Sequence, residues 1–299
     1  MKYQEVSYEQ ISRKQKELIR ESLKRWWFRY SKSKLSILGL GIFLVIAVLA
    51  LFADYVTPYP SNAGLYINFK QSYLPPSTEH LLGTDMYGRD VFTRTIFGFR
   101  YALMMVGVVL GLVVPPGVVL GLIAGYYRGT WIDTIITRVS EVFIALPPLV
   151  LALSIASVLE PNIFNAMMAI SLMWWPWYVR LVYSMTSSLR NEQYVYAAKA
   201  IGMPTYKILF KELLPNMLGP ILTKVTLDAG WIIIIGAAIS FVGLGAQPPT
   251  PDLGTMVSEY SRYLPDYWWM TFGPAIGITL LILSFNLIGD GIRDAFAGE

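Results

Sequence analysis

KLSILGLGIFLVIAVLALFAD, residues Lys34 to Asp54, carries no charged side chain between its two ends. A helix crosses the roughly 30 Å apolar core of a bilayer in about 20 residues, because each residue rises about 1.5 Å. This stretch therefore reads as a membrane span. Working outward, the same test picks out Arg100 to Arg128, Glu141 to Glu160, Glu160 to Arg180, the region Ile221 to Leu244, and Asp266 to Asp290. Glu160-Pro161-Asn162, between two of these, reads as a tight hairpin. The expectation is an all-α integral membrane protein with six transmembrane helices, at about 35–53, 100–126, 139–159, 162–184, 221–245 and 268–290. Composition points the same way. Of 299 residues, 55% are hydrophobic and 15% charged, against about a quarter charged in a soluble domain.

Lysine and arginine placement sets the orientation. With both termini inside, nineteen basic residues fall on the cytoplasmic face and five outside, and the opposite topology reverses that ratio. The reading is N-in and C-in, with an external segment at 54–99 and a cytoplasmic loop at 186–220 between the fourth and fifth helices. The sequence pI near 9.0 then follows from charge gathered on one membrane face beside anionic lipid, and calls for no nucleic acid. The long charged lead-in and the missing A-x-A site predict an uncleaved anchor.

Residues 1–34 form a basic N-terminal segment ahead of the membrane-spanning body at 35–299. Within it, Tyr8 to Tyr30 place Ile11, Leu18, Ile19, Trp26, Trp27 and Tyr30 at helical spacing among many bases. That pattern fits an amphipathic helix on the inner membrane surface, or, for its first half, a disordered tail. In the external segment, helical character resumes near Asp90, with Thr84 or Asp85 as the expected N-cap. Prolines at 115–116, 147–148 and 176 fall inside spans and predict kinks.

Several chemistries are excluded. The chain has one histidine, His80, and no cysteine, which removes His-rich zinc sites, Cys-ligated metals and a buried Ser-His dyad. No Gly-Lys dipeptide occurs, so there is no Walker A loop. Intramembrane charge marks ion and proton pathways, and here only Lys224 and Asp228 interrupt a span. Four apart near the start of the fifth helix, they read as an ion pair. A membrane enzyme, a self-contained channel and a secondary carrier are disfavoured together. Any energy for transport comes from elsewhere.

The 186–220 loop holds YVYAAKAIGMPTYKILFKELLPNMLGP, Tyr194 to Pro220. Tyr194 to Ile201 reads as a helix, Gly202 as its left-handed C-terminal residue, and Pro204 as the barrier to continuation. A second helix is expected from Thr205 to about Leu213, stopped by Leu214-Pro215. A DNA-reading helix-turn-helix has a similar outline, but tethering between two spans makes that reading remote. The paired small residues Ala197 and Ala198 suit close packing by a partner.

This order resembles the signature loop of ABC importer permeases: E-A-A, three residues, Gly, nine residues, then I-x-L-P. Tyr196-Ala197-Ala198, Gly202 and Leu214-Pro215 match, while Tyr196 replaces the Glu and Glu212 the Ile. The stretches LLGTDMYGRDVFTR, GYYRGTWIDTIITRVSEVFIALP, SFVGLGAQPPTPDLGTMV and FNLIGDGIRDAF are similar to the dipeptide/oligopeptide/nickel permease group, C-type subunit. The resemblance implies a non-catalytic subunit of a bacterial or archaeal plasma (inner) membrane importer. Its implied partners are a B-type permease, one or two cytoplasmic ABC ATPase subunits and an external solute-binding protein. ATP and magnesium would be bound by the ATPases, and no cofactor by this chain. It also implies ATPase coupling through Tyr196, Ala197, Ala198, Gly202, Leu214 and Pro215, and an external family motif at Gly83, Thr84, Asp85, Gly88, Arg89 and Asp90. Family substrates are peptides, nickel and oligosaccharides, with di- or oligopeptides the expectation here.

Overall fold

Glycines spaced four apart let two of the long helices meet almost backbone to backbone. The computed structural model describes residues 20–21 and 24–297, so the first half of the expected N-terminal helix lies outside the described residues. Nine helices organise the described chain: α1 (Lys34–Leu51), α2 (Val91–Tyr126), α3 (Trp131–Ile144), α4 (Pro148–Val158), α5 (Ile163–Leu189), α6 (Gln193–Ala200), α7 (Thr205–Phe241), α8 (Leu253–Ser261) and α9 (Trp268–Phe296). Short helical turns occur between α1 and α2. The described residues contain no β-strand, only a bridge between Thr84 and Asp90.

The α2–α5 seam holds the bundle together. On α2, Gly117, Gly121 and Gly125 share one face, and on α5 Tyr178, Val182 and Thr186 meet them in register. A Cβ at the three glycines would fall 2.6, 2.7 and 2.6 Å from the Cβ atoms of those partners. Close approach of this kind is how helices associate where surrounding lipid is as apolar as the side chains. The main core continues from this seam, with Val109, Val113, Ile170, Tyr178, Ile232 and Leu281 all buried.

Helix α9 packs against α7 and α1, again through small residues. Gly39 of α1 faces Leu287, and Gly291 of α9 faces Ser36 and Tyr30. This contact recruits the tryptophan end of the N-terminal segment. Trp26 stacks on Tyr30 at 5.4 Å and meets Phe296 edge-on at 6.2 Å. The Tyr30 hydroxyl donates to the Ser36 carbonyl at 3.2 Å. Of the aromatic residues here, Trp27 and Phe28 remain exposed.

Among the described residues, four helices are long and apolar enough to cross a membrane: α1, α2, α7 and α9. The expected third span, 139–159, is not one straight helix. The chain bends by 88° between α3 and α4, because Pro147 and Pro148 supply no amide donors and proline disfavours helical geometry in the residue before it. Counted as one bent span, α3–α4 brings the total to five. Helix α5 has 27 residues, about 40 Å, but Asn165 and Arg180 dilute its apolar run.

The sequence expectation that Leu214-Pro215 ends a helix is also corrected. Helical structure continues from Thr205 to Phe241. It passes through a π segment at Ile208–Leu213 and a 3₁₀ turn at Leu214–Met217 before Leu218. Pro215 cannot donate to the carbonyl four residues back, so the ladder changes register instead of stopping. Asn216 Nδ2 donates to the Glu212 carbonyl at 2.6 Å at the same point.

The seam gives a direct test. Gly121→Ile would drive a branched side chain into Val182, where overpacking costs about 1–3 kcal/mol or more. Gly107→Ile, where nothing lies within 4 Å of an added Cβ, serves as the control. Thermal denaturation of detergent-purified protein should show a fall of several degrees for Gly121→Ile and almost none for Gly107→Ile. Equal behaviour would mean the seam is loose.

Candidate functional site

The 186–220 loop is built from the end of α5. Arg190 caps that helix and its Nη1 donates to the Tyr126 carbonyl at 2.9 Å, tying the ends of α5 and α2 together. Three residues later α6 begins. Its C-terminus closes as the sequence predicts: the Gly202 amide donates to the Lys199 carbonyl at 3.0 Å, and the Met203 amide to the Ala198 carbonyl at 3.0 Å. This paired arrangement requires the left-handed conformation at the intervening residue, and Gly202 has φ +76°.

The face that α6 turns inward is Val195 and Ala198. Both are buried with Leu122, Val182, Ile208 and Leu213. The outward face carries Tyr196, Ala197 and Ile201, continued by Tyr206 past the turn. The alanine pair is therefore divided, which corrects the expectation that both meet a partner. Ala198 packs on its own chain, and Ala197 alone of the two is free to be contacted. Helical geometry explains it, since adjacent residues point about 100° apart. Leu214 is half-buried and Pro215 exposed, and they mark the register change in α7.

An exposed apolar ledge of Tyr196, Ile201 and Tyr206 is more than a loop needs. Lys199 Nζ lies 5.5 Å from the Tyr196 ring centroid and 4.9 Å from that of Tyr126, flanking the ledge with positive charge. Such a rigid, short, apolar-and-basic projection can dock into a groove. It holds no nucleophile–base pair.

The second motif lies at the opposite end of α2. Gly83 and Gly88 have φ +67° and +74°. Between them the chain makes a tight loop wrapped around Asp85. One carboxylate oxygen, Oδ1, accepts from the amides of Tyr87 and Arg89, both at 2.9 Å. The other, Oδ2, accepts from Arg89 Nε at 2.7 Å and from the Tyr260 hydroxyl at 3.1 Å. Arg94 Nε stands 3.9 Å away, and its two terminal nitrogens donate to the Pro249 carbonyl. Thr84 binds the Leu74 amide at 2.9 Å.

Asp90, not Thr84 or Asp85, caps α2. Its Oδ1 accepts from the Thr93 amide at 2.7 Å, and its Oδ2 lies 2.9 Å from His80 Nδ1. Asp85 cannot serve because its oxygens are consumed by the Gly88 turn, which delays the helix by five residues. Thr84, Asp85, Arg89 and Asp90 are all nearly fully buried. These motif residues bolt the 52–90 segment to α2 and α8, and they offer no open site. Burial, with the Asp85 charge second, pushes the Tyr260 hydroxyl's pKa up, so it stays protonated as a donor.

Sequence reasoning missed Asn62, Arg94 and Tyr260, which complete this cluster, and Val195 and Arg190, which seat the loop. Tyr260 lies 175 residues from Asp85, and no local pattern connects them.

Comparison with known proteins adds a separate line of observation. A family profile described as "Binding-protein-dependent transport system inner membrane component" matches residues 117–298. A second, "N-terminal TM domain of oligopeptide transport permease C", matches residues 22–76. The chain is similar to the dipeptide transport system permease protein of Alkalihalophilus pseudofirmus, 41% identical over 88% of this chain and 86% of that protein. The corresponding Haemophilus influenzae protein is 36% identical, with 91% and 93% covered. The probable D,D-dipeptide transport system permease protein of Escherichia coli is 35% identical, with 88% and 87% covered.

The buried cluster predicts an ordered set of stabilities. Asp85→Ala strands Arg89 and Arg94 without their carboxylate, which costs about 3–5 kcal/mol for a buried pair. Tyr260→Phe removes one hydrogen bond, worth about 1 kcal/mol. Melting curves of purified protein should therefore rank wild type, Tyr260→Phe and Asp85→Ala in falling order. A mild Asp85→Ala with a severe Tyr260→Phe would reverse the role assigned to the carboxylate.

Proposed function

We propose, from the premise that this chain belongs to the family of binding-protein-dependent transport system inner membrane components, a specific division of labour within an ABC importer. The chain is a multi-pass, non-catalytic permease subunit of the bacterial inner membrane, and its substrates are di- and oligopeptides. It forms half of the translocation path. A B-type permease supplies the other half, cytoplasmic ATPases bind ATP and magnesium, and an external solute-binding protein delivers the peptide.

Six passes with N-in and C-in topology fit this role, with α5 and the bent α3–α4 pair each counted as a span. Residues 1–34 then lie on the cytoplasmic side ahead of the membrane body at 35–299. The 52–90 segment faces outside, where the buried Asp85 cluster gives the solute-binding protein a stiff platform. The loop at 186–220 faces the ATPases, and α6 is the coupling element.

One observation carries the coupling assignment: α6 is fixed at both ends yet leaves Tyr196, Ala197, Ile201 and Tyr206 facing outward. Arg190 holds its start, the Gly202 turn holds its finish, and Val195 and Ala198 seat it on α7. A push on the ledge is therefore delivered to the base of α7 and to the seam between α2 and α5. Tyr196 and Glu212, where the loop departs from the family order, sit respectively on that outer ledge and, half-buried, within the π segment.

Gly202→Val is the informative substitution. Nothing lies within 4 Å of an added Cβ there, so the penalty is backbone strain alone, about 1–2 kcal/mol. That is too little to unfold the bundle, but enough to re-aim α6. Membrane level and pairing with the B-type permease should be normal, while ATPase co-purification and dipeptide uptake fall several-fold. Reporters in the same strain, fused after Glu299 and inserted after the exposed Leu65, should read inside and outside. Unimpaired uptake would reduce the loop to a connector, and both reporters on one side would overturn the topology.

A further inference from the structure

Away from both ends, a cavity of about 530 Å³ opens between the α3–α4 break, α5 and α7. Pro147 and Pro148 bound one side, Trp174 and Trp177 of α5 a second, and Asp228 and Trp231 of α7 a third. Asp228 stands ten residues, about 15 Å, beyond Leu218 on α7. It is only 4% exposed. The expected pair with Lys224 forms, with Nζ 3.1 Å from the carboxylate. Nζ lies 3.1 Å from Oδ1 and from Oδ2 alike, but hydrogen-bond geometry is met at Oδ1 only, so among the described residues Oδ2 has an ionic contact and no hydrogen bond.

Two further buried groups beside it also lack a hydrogen bond. Among the described residues the Trp174 indole N–H has no acceptor, and the Tyr178 hydroxyl, which does not line the cavity, makes no hydrogen bond of full geometry. Lys224 Nζ sits 5.2 Å from the Tyr178 ring centroid. Buried polar groups are normally satisfied, and each exception asks for a reason. Two such exceptions, Asp228 Oδ2 and the Trp174 indole N–H, line this one cavity and are chemically complementary: an anionic acceptor and an indole donor, walled by aromatic rings.

A primary ammonium next to an amide carbonyl satisfies this set. The ammonium meets Asp228 Oδ2 and the faces of the aromatic wall, where cations are attracted. The carbonyl accepts from Trp174. A bare divalent metal ion fits poorly, because Asp228 is the single carboxylate of the lining and such ions take several oxygen or nitrogen ligands. A free anion meets the Asp228 charge. Lys224 already stands against both carboxylate oxygens, so attraction for the ammonium is tempered, which suits a site a substrate must leave.

We propose that this cavity is a transit site for the free amino terminus of a peptide, with Asp228 as the ammonium-binding residue and Trp174 as a donor to the adjoining carbonyl. The inference rests on the permease reading above. The chain has no cysteine, so Ile234→Cys, which lines the cavity, gives it a single thiol. In the reconstituted complex at rest, an ammonium-bearing methanethiosulfonate should label this thiol about tenfold or more faster than a sulfonate-bearing one, as a focused carboxylate field requires. The preference should vanish in Ile234→Cys/Asp228→Asn and return in Ile234→Cys/Asp228→Glu. Alanyl-alanine should slow labelling, and N-acetyl-alanyl-alanine at the same concentration should not. No labelling, equal rates for the two reagents, or equal protection by the acetylated peptide would overturn the proposal. ATP-driven dipeptide uptake by the unmodified complex is measured in parallel. Its absence would overturn the permease reading itself, whatever the labelling shows.

Discussion

The contact on which this molecule depends is the glycine seam between α2 and α5. Gly117, Gly121 and Gly125 bring the backbones so close that a methyl group at any of them would overlap the opposite helix. In a bilayer, burying apolar surface against a neighbouring helix gains little over burying it against lipid, so shape must provide the association. A seam with three interlocked positions also fixes register. Sliding by one residue would present Val118 or Leu122 where glycine is required. Everything at the two ends of the molecule is hung from the ends of these two helices. Arg190 links their last turns beside α6, and Asp90 and Arg94 anchor the first turns of α2 to the 52–90 segment and to Pro249.

The two ends use different physics. At the α2 N-terminus, charged residues are buried and paired with one another, which fixes geometry and makes removal of one partner costly. At the loop end, the fixed part is apolar, with Val195, Ala198 and Leu213 packed inside and aromatic residues left outward. A rigid platform and an exposed ledge are what a subunit needs if one face receives a delivered solute and the other receives force. Between them, the α3–α4 bend and the π segment of α7 are the places where helical regularity is relaxed.

Much of this was legible in the residues. Long uncharged runs identify α1, α2, α7 and α9, because a bilayer imposes length and apolarity that few other environments demand. The Gly202 turn was legible because a left-handed residue flanked by Pro204 has a local signature. Other features depend on distant partners and were not. Asp85 has the composition of a helix cap, yet its oxygens belong to Arg89 and to Tyr260 from α8, and the cap passes to Asp90. Leu214-Pro215 reads as a stop, yet packing of Leu213 and Met217 into the loop core carries the helix past it. The third span reads as continuous by hydropathy; Pro147 and Pro148 predict a kink in it, but not that the bend reaches 88°. Ala197 and Ala198 look equivalent in sequence, yet Ala198 is buried and Ala197 exposed.

The central claim is that α6 has an inner face that seats it and an outer face that meets the ATPase, one residue apart. A photo-crosslinking amino acid placed in turn at Tyr196 and at Val195, in the assembled complex, tests it most directly. The account predicts a covalent adduct with the ATPase subunit from position 196 and adducts only within this chain from position 195. ATPase adducts from position 195, or none from position 196, would contradict it.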